Sequence, residues 1–165
     1  MTVDLSPDWL IDRFRSLDLD PDMQRGDHDL NPGMTVLDDL TPAAVLVPLV
    51  AHAARVTTLF TQRTSHLKHH AGQISFPGGH ADPEDDDAVD TALREMEEEV
   101  GLHRRQIRVI GQLDPYITRT GFSVIPVVGL IEPPFDVSPD PNEVEDVFEV
   151  PLDFLMNPAN HPKIF

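Results

Sequence analysis

Three glutamates that a helix would bring together are the residues of this chain best suited to chemistry. Residues 94–102 read REMEEEVGL, and at about 100° per residue Glu95, Glu98 and Glu99 cluster away from the apolar side of a helix. Like charges at i,i+4 oppose a helix by roughly 0.2–0.5 kcal/mol per pair unless a cation lies between them. The cluster therefore predicts a site for a hard divalent ion, Mg²⁺ or Mn²⁺, which also binds phosphates.

The flanks of this helix favour a metal site over the alternative, an ordinary solvated acidic surface. Gly78-Gly79 predicts a tight loop ahead of the helix, and Gly101 can end the helix with a positive φ. The acidic run 82–87 lacks the ligand spacing of an EF-hand and reads as a turn and helix N-terminus. Its candidates for the helix cap are Asp85, Asp86 and Asp87.

Composition limits the partners. The chain has 165 residues, enough for one domain, and its 29 acidic and 12 basic residues give a net charge of −17. Nucleic acids and anionic membrane surfaces would be repelled, whereas a small phosphate-bearing ligand is compatible because a bound metal inverts the local charge. The absence of Cys excludes disulfides and is typical of a reducing cytoplasm. We see neither a signal peptide nor a membrane span, so we expect a cytoplasmic protein.

Besides the helix that carries the three glutamates, the sequence predicts two helices and four strands. Ser6-Pro7 predicts a helix to about Leu17, and residues 18–41, rich in Asp, Pro and Gly, read as a loop or extended arm. Apolar, β-branched runs predict a hairpin of strands at 43–50 and 56–62 and later strands at 106–113 and 123–131. A short helix should begin at Pro151 and run to Met156. The loop at 118–121 either borders the substrate or is a plain turn.

A basic segment interrupts this acidic chain between the hairpin and Gly78. Its charged and titratable residues are Arg63, His66, Lys68, His69 and His70. These side chains either balance the neighbouring acidic loop or hold phosphates opposite the metal, with Arg63 forming a bidentate fork.

The helix segment resembles the Nudix hydrolase box, a Gly and a Glu followed by R-E-apolar-x-E-E-x-G-apolar. Every fixed position from Arg94 to Leu102 matches. The loop before Arg94 is one residue longer than in the general pattern, so the upstream acid falls on Asp86. This longer loop looks like a trait of the coenzyme A pyrophosphatase branch.

The basic segment is similar to the signature that coenzyme A pyrophosphatases carry just before the box. The matching residues are Leu59, Thr61, Arg63, Gly72, Phe76, Pro77, Gly78 and Gly79. Phe60, Thr64 and Lys68 are substitutions, and Lys68 keeps the charge of the usual Arg without its planar fork.

The resemblance implies an α/β fold, a Nudix-type α/β/α sandwich with a mixed β-sheet. Residues 1–41 would form an N-terminal helix and arm, and residues 42–165 the Nudix domain of a single-domain protein. Family members usually continue into a further strand and a C-terminal helix, which this sequence does not offer. A truncated chain, a short gene product and a partner chain, as in a homodimer, are the alternatives.

The implied reaction is metal-dependent hydrolysis of the pyrophosphate of coenzyme A or its derivatives, giving 3′,5′-ADP and 4′-phosphopantetheine. The alternatives are a Nudix hydrolase for another substrate, such as ADP-ribose, a dinucleotide or a nucleoside triphosphate, and a non-catalytic binding module. The implied metal ligands are Glu95, Glu98, Glu99 and the Gly78 carbonyl. The implied catalytic residues are Glu98, Glu143 and Arg94. Glu143 is a candidate general base, with a plain surface carboxylate as the alternative. Arg94 pairs with the carboxylates and fixes the loops. The implied substrate-binding residues are Arg63, Lys68, His69, Gly72, Phe76 and Gly79.

Overall fold

A mixed β-sheet is the middle layer of the computed structural model, which describes residues 4–20, 22–23, 25–68 and 70–161. Its strands are β1 (Arg25–Gly26), β2 (Thr41–Ala51), β3 (Val56–Arg63), β4 (Ile74–Ser75), β5 (Gly78–His80), β6 (Ile107–Gln112), β7 (Tyr116–Ile117), β8 (Phe122–Ile131) and β9 (Val144–Pro151). The α-helices are α1 (Pro7–Arg15), α2 (Asp27–Leu30), α3 (Ala88–Val100) and α4 (Leu152–Met156). Among the residues described, no helix has the length and apolar character needed to cross a membrane.

Strand β2 is the centre of the sheet. It runs parallel to β8 along its whole length, with Thr41 opposite Phe122 and Val50 opposite Ile131. On its other edge, the first half of β2 pairs with β5 and the second half pairs with β3, both antiparallel. The predicted hairpin of β2 and β3 is therefore confirmed, and β9 extends the sheet beyond β3.

Helix α3 covers one face of the sheet. Its apolar residues recur every four positions, and Ala92, Met96 and Val100 are all fully buried in one core. Leu46 of β2 and Ile131 of β8 belong to the same core. This packing fixes the rotation of α3, so its acidic residues face away from the core.

Helix α1 covers the opposite face. Ser6 caps it by accepting the Trp9 N–H at 3.3 Å, and Leu10 packs into a second core with Leu49 and Val128. Leu152 at the start of α4 packs against the same core. The predicted α/β/α sandwich is thus confirmed, and the N-terminal helix together with α4 supplies the layer that the sequence left undetermined.

The arm at 18–41 contains more structure than predicted. Strand β1 pairs with β7, and α2 follows β1 directly. Gly26 is buried so closely that a Cβ would overlap the carbonyl of Ile117, and the Asp27 carboxylate accepts the Tyr116 hydroxyl at 2.7 Å and the Arg119 N–H at 2.6 Å. These are contacts between segments about ninety residues apart, which local sequence patterns do not report. They tie the 118–121 turn to the arm.

Truncating Leu10 tests the α1 layer. We expect Leu10→Ala to lower the free energy of unfolding by about 2 kcal/mol, because it leaves a cavity between α1 and the sheet. Leu30→Ala is the matched control, since Leu30 is 78% exposed and its truncation should cost less than about 0.5 kcal/mol. Urea unfolding of both variants measures the difference, and equal midpoints would show that α1 does not stabilise the fold.

Candidate active site

Helix α3 begins and ends at identifiable caps. Asp87 accepts the Asp90 N–H at 2.8 Å, so it is the cap among the three candidate aspartates. Gly101 ends the helix with φ of 76°, and its N–H donates to the Glu97 carbonyl at 3.1 Å, as the sequence predicted. The caps fix which residues lie in the last two turns of the helix.

The three predicted glutamates differ in burial. Glu99 is only 8% exposed, the Glu95 side chain is 15% exposed, and the Glu98 side chain is 59% exposed. Two of the three carboxylates are therefore largely removed from water, which is costly for charged groups without a partner. The cluster therefore has two buried carboxylates, with Glu98 at its exposed side.

Both buried glutamates lie against β5. The Glu95 carboxylate occupies the space a Gly79 side chain would need, since a Cβ there would lie 2.5 Å from Oε1. The Gly78 N–H lies close enough to the Glu99 carboxylate to lower its pKa. The prediction that Gly78-Gly79 forms a tight loop is therefore wrong. The pair forms a strand, and glycine is required by close approach of Glu95 and β2 rather than by a turn.

Without a cation, the carboxylates of this cluster are in an electrostatically unfavourable environment. Burial raises the pKa of Glu95, and Glu98 and Glu143 add to this effect while Arg94 opposes it. Burial, Glu95 and Glu143 together raise the pKa of Glu99 to about 8, against the opposing effect of the Gly78 N–H and Arg63. A cation among these oxygens would offset both the cost of burying the charged carboxylates and their mutual repulsion, so the donor set fits a hard divalent ion.

The donors are close in space without forming a finished coordination shell. Within the described part of the chain, no three acidic or histidine side chains are already arranged to hold a metal ion. The cation that contacts the cluster is Arg94, whose Nη1 lies 3.1 Å from Glu95 and 3.4 Å from Glu98. Metal binding would therefore require these side chains to reorient.

Arg94 also joins α3 to the segments before it. Its Nε and Nη2 donate to the two oxygens of Asp85, both at 3.0 Å, and Nη2 also donates to the His80 carbonyl at 3.0 Å. Asp85 further accepts the Thr91 hydroxyl and the Asp82 N–H, each at 2.8 Å. The Arg94 hydrogen bonds, together with these, hold the pKa of Asp85 well below its usual range.

Asp85, rather than Asp86, is thus the acid that contacts Arg94. The pattern of the box placed the upstream acid on Asp86, which is exposed and whose N–H donates to Asp90. No signal in the run 82–87 distinguished Asp85, because its importance depends on how the loop folds back onto α3. Asp85 is a residue that the sequence reasoning missed.

Glu143 reaches the cluster from the loop before β9. Its carbonyl accepts the Thr64 N–H at 3.1 Å, which joins this loop to the end of β3. Glu143 is exposed, yet close enough to raise the pKa of both Glu95 and Glu99. The structure therefore brings the candidate base to the predicted metal site.

The predicted substrate-binding residues lie around the turn between β3 and β4. Arg63 faces the cluster closely enough to lower the pKa of Glu99, and its buried Nε has no hydrogen-bond partner among the described residues. Gly72 closes the turn with φ of 71° and donates its N–H to the Arg63 carbonyl. Lys68 is exposed, and Phe76 stacks on Phe60 with ring centroids 4.7 Å apart.

One of the predicted contacts, His69, lies outside the described residues. Gly79, predicted to bind substrate, instead contacts Glu95 on the side where a Cβ would project. The structure thus assembles Glu95, Glu98, Glu99, Glu143, Arg63 and Arg94 around the end of β5.

A β-sheet between helices, with buried glutamates packed against a strand that begins with two glycines, is the combination to compare with known protein families. Residues 40–164 match the NUDIX domain family model. The chain therefore belongs to the Nudix hydrolase family.

Relatives and solved structures agree with this class. The chain is 45% identical over 115 residues to the peroxisomal coenzyme A diphosphatase NUDT7 of Mus musculus, covering 70% of this chain and 49% of the relative. It is 44% identical over 121 residues to the uncharacterized Nudix hydrolase NudL of Photorhabdus laumondii, covering 73% of this chain and 64% of the relative. The chain thus spans about half to two thirds of the length of these relatives.

The fold is similar to that of solved Nudix proteins. A C. elegans Ap4A hydrolase complex aligns with a TM-score of 0.54 and 24% identity over 65% of this chain and 77% of that chain. The M. smegmatis Nudix hydrolase RenU aligns with a TM-score of 0.56 and 18% identity over 72% of this chain and 75% of that chain. At these identities the likeness shows the fold alone.

Proposed function

We propose that this chain hydrolyses the pyrophosphate bond of coenzyme A or its derivatives, giving 3′,5′-ADP and 4′-phosphopantetheine. The observation that carries the proposal is the buried pair Glu95 and Glu99, which repel each other against a bare glycine strand. Such a pocket suits a divalent ion and the diphosphate that the ion binds. The identity to the mouse coenzyme A diphosphatase supports the choice of substrate.

In this proposal Glu95, Glu98, Glu99 and the Gly78 carbonyl would hold Mg²⁺ or Mn²⁺. When bound, the ion supplies charge neutralisation at the diphosphate and a lowered pKa for an attacking water. In this proposal Glu143 would accept a proton from that water, and the Arg63 guanidinium would donate to a phosphate oxygen. Arg94 orients Glu95 and Glu98 through its contacts with both.

Other proposals follow from the same sequence and stay open to test. Lys68 stands where the coenzyme A signature has an Arg and is exposed, which favours a looser phosphate contact and a different nucleoside diphosphate derivative as the alternative substrate. The absence of a preformed three-ligand group in the described residues favours, as the second alternative, a binding module without catalysis. For location, we propose a reducing compartment, supported by the absence of Cys. A homodimer remains a proposal, and so does the absence of nucleic-acid and membrane partners, which the acidic composition supports.

A substrate panel tests the proposal. Coenzyme A, ADP-ribose, a diadenosine polyphosphate and a nucleoside triphosphate are incubated with the chain and Mg²⁺, and the products are identified by mass spectrometry. We expect coenzyme A to give the highest kcat/KM, with 3′,5′-ADP and 4′-phosphopantetheine as products. Faster hydrolysis of another compound would support the alternative substrate, and binding without turnover of any compound would support the non-catalytic module.

Arg63→Ala tests whether Arg63 binds the phosphates of the coenzyme. Because the variant loses a charge-assisted hydrogen bond, we expect the KM for coenzyme A to rise by about tenfold and that for ADP-ribose to rise less. Arg55→Ala is the control, since Arg55 is exposed in the turn between β2 and β3. Equal KM increases for both substrates would indicate a general diphosphate hydrolase.

A further inference from the structure

Two aromatic rings next to the acidic cluster have no part in the function proposed above. His80 is the last residue of β5, and its ring contacts that of Phe122, the first residue of β8. The ring centroids lie 4.7 Å apart and the planes are tilted by 44°. His80 is exposed and Phe122 is half-buried. The contact with Phe122 therefore leaves part of the His80 ring accessible to a ligand.

The two rings lie on the sheet face opposite α3. Gly79 faces α3 and Glu95, and side chains alternate along a strand, so His80 faces the other way. His80 pairs with Ala43 of β2, and Phe122 pairs with Thr41 two residues earlier on the same strand. Both rings therefore stand on one face, with the small Ala43 between their strands.

Strand β5 connects this face to the carboxylates. Gly78, whose N–H lies close to the Glu99 carboxylate, is two residues from His80, which is roughly 7 Å along a strand. Among the strands of the described residues, β5 pairs with β2 alone, so its outer edge is bordered by the acidic cluster. The Arg94 side chain lies at this edge, where it donates to the His80 carbonyl, so an extended ligand that reaches both places would pass over Arg94.

Hydrogen bonds fix the backbone that carries both rings. The His80 carbonyl accepts from Arg94 at 3.0 Å. The Phe122 N–H donates to the Thr118 hydroxyl at 3.0 Å, and its carbonyl accepts the Thr118 N–H at 2.8 Å. Asp27 fixes the same turn through Arg119. A surface fixed in this way loses little conformational entropy when a flat ligand binds to it.

We propose that His80 and Phe122 form a stacking surface for a nucleobase whose phosphates lie at the acidic cluster. Every nucleobase has a flat, apolar face that stacks on aromatic side chains, and the half-buried Val124 and Pro126 of β8 extend an apolar floor on the same face. The inference rests on the proposed function for the position of the phosphates. It adds the identity of the side chains that would contact the base of the substrate.

Equilibrium binding of AMP and of ribose 5-phosphate tests the stacking surface without catalysis, because neither contains a pyrophosphate. With Mg²⁺ present, isothermal titration calorimetry on the full chain should show AMP binding about tenfold more tightly than ribose 5-phosphate. We expect His80→Ala to remove this preference and His80→Phe to retain it. His103→Ala is the matched control, since His103 is exposed at the far end of α3 and bonds the Arg105 N–H.

The same variants have a kinetic signature on the diphosphate substrate. His80→Ala should raise KM by about tenfold while kcat changes by less than about twofold, because stacking binds the ground state and the transition state alike. A loss of fold would instead lower kcat, and His80→Phe would not restore KM.

Two results would overturn the stacking surface. One is equal affinity of the wild type for AMP and ribose 5-phosphate, and the other is an AMP preference unchanged in His80→Ala. Either result together with pyrophosphate hydrolysis would remove the stacking surface and leave the proposed function standing. An AMP preference that depends on His80, without hydrolysis of any diphosphate, would remove the proposed function and leave the stacking surface.

Discussion

Replacing Glu99 by Gln should lower kcat for Mg²⁺-dependent hydrolysis by more than about 100-fold while leaving the fold intact. Loss of groups that merely support a metal ligand already costs about 10–100-fold, and Glu99 is proposed as a ligand itself. Gln has the size and shape of Glu beside Gly78, so the packing of α3 against β5 should be kept. Steady-state kinetics at saturating substrate, with circular dichroism to confirm the fold, measures the effect.

Glu98→Gln should behave in the same way, and Glu97→Gln is the matched control on the same helix. Glu97 accepts the Arg104 N–H at 2.9 Å and lies outside the cluster, so its replacement should change kcat by less than about twofold. Full activity in both Glu98→Gln and Glu99→Gln would discard the assignment of the metal site.

The raised pKa of Glu99 adds a prediction on stability. Glu99 has a pKa of 4.5 in the unfolded chain and a pKa of about 8 in the folded, metal-free protein. Between these two values the folded state keeps a proton that the unfolded state has already released. The free energy of unfolding should therefore fall as the pH rises through this window. Glu99→Gln has no such proton and should lose less stability over the same range. Mg²⁺ should raise the Tm of the wild type and not that of the variant, and identical responses to Mg²⁺ would contradict a metal site at Glu99.

Asp85→Asn should be the most destabilising of the substitutions considered, at about 3 kcal/mol in the free energy of unfolding. The side chain of Asp85 is 5% exposed and that of Arg94 is 20% exposed, so the variant removes the buried carboxylate that accepts two hydrogen bonds from a mostly buried guanidinium. It should also lower kcat by about 10–100-fold, because Arg94 would no longer hold Glu95, Glu98 and the His80 carbonyl in register.

Asp86→Asn provides the comparison for Asp85→Asn. Asp86 is the acid that the spacing of the box predicts, but it is exposed and Arg94 contacts Asp85 instead. We expect less than about 0.5 kcal/mol and no measurable change in kcat. Chemical denaturation and kinetics on the two variants decide between them, and a larger effect of Asp86→Asn would restore the assignment made from spacing.

Helix α3 was predictable because its signals are local. The apolar positions of α3 repeat at helical spacing, Gly101 ends the helix, and the three glutamates follow from their positions on that helix. Strands β2, β3 and β8 were predictable for a similar reason, since their β-branched runs have strand length. The role of Arg63 was predicted from the basic segment and that of Glu143 from a family resemblance, and the structure brings both residues to the cluster.

Long-range packing hid the rest from the sequence. Gly78-Gly79 has the composition of a turn, yet it forms a strand because Glu95 and β2 approach too closely for a side chain. The run of acids before α3 offered equivalent partners for Arg94, and only the fold of the loop selected Asp85. The layer opposite α3 comes from the N-terminal helix, which no pattern linked to the sheet.

The sequence by itself determined the helix that carries the acids, the glycine that ends it and the kind of ion that those acids suit, because these depend on residues within a few positions of one another. The tertiary structure alone decided which acid holds Arg94, how deeply each glutamate is buried and that His80 meets Phe122. Those properties depend on distances between segments far apart in the chain, and such distances exist only once the sheet has formed.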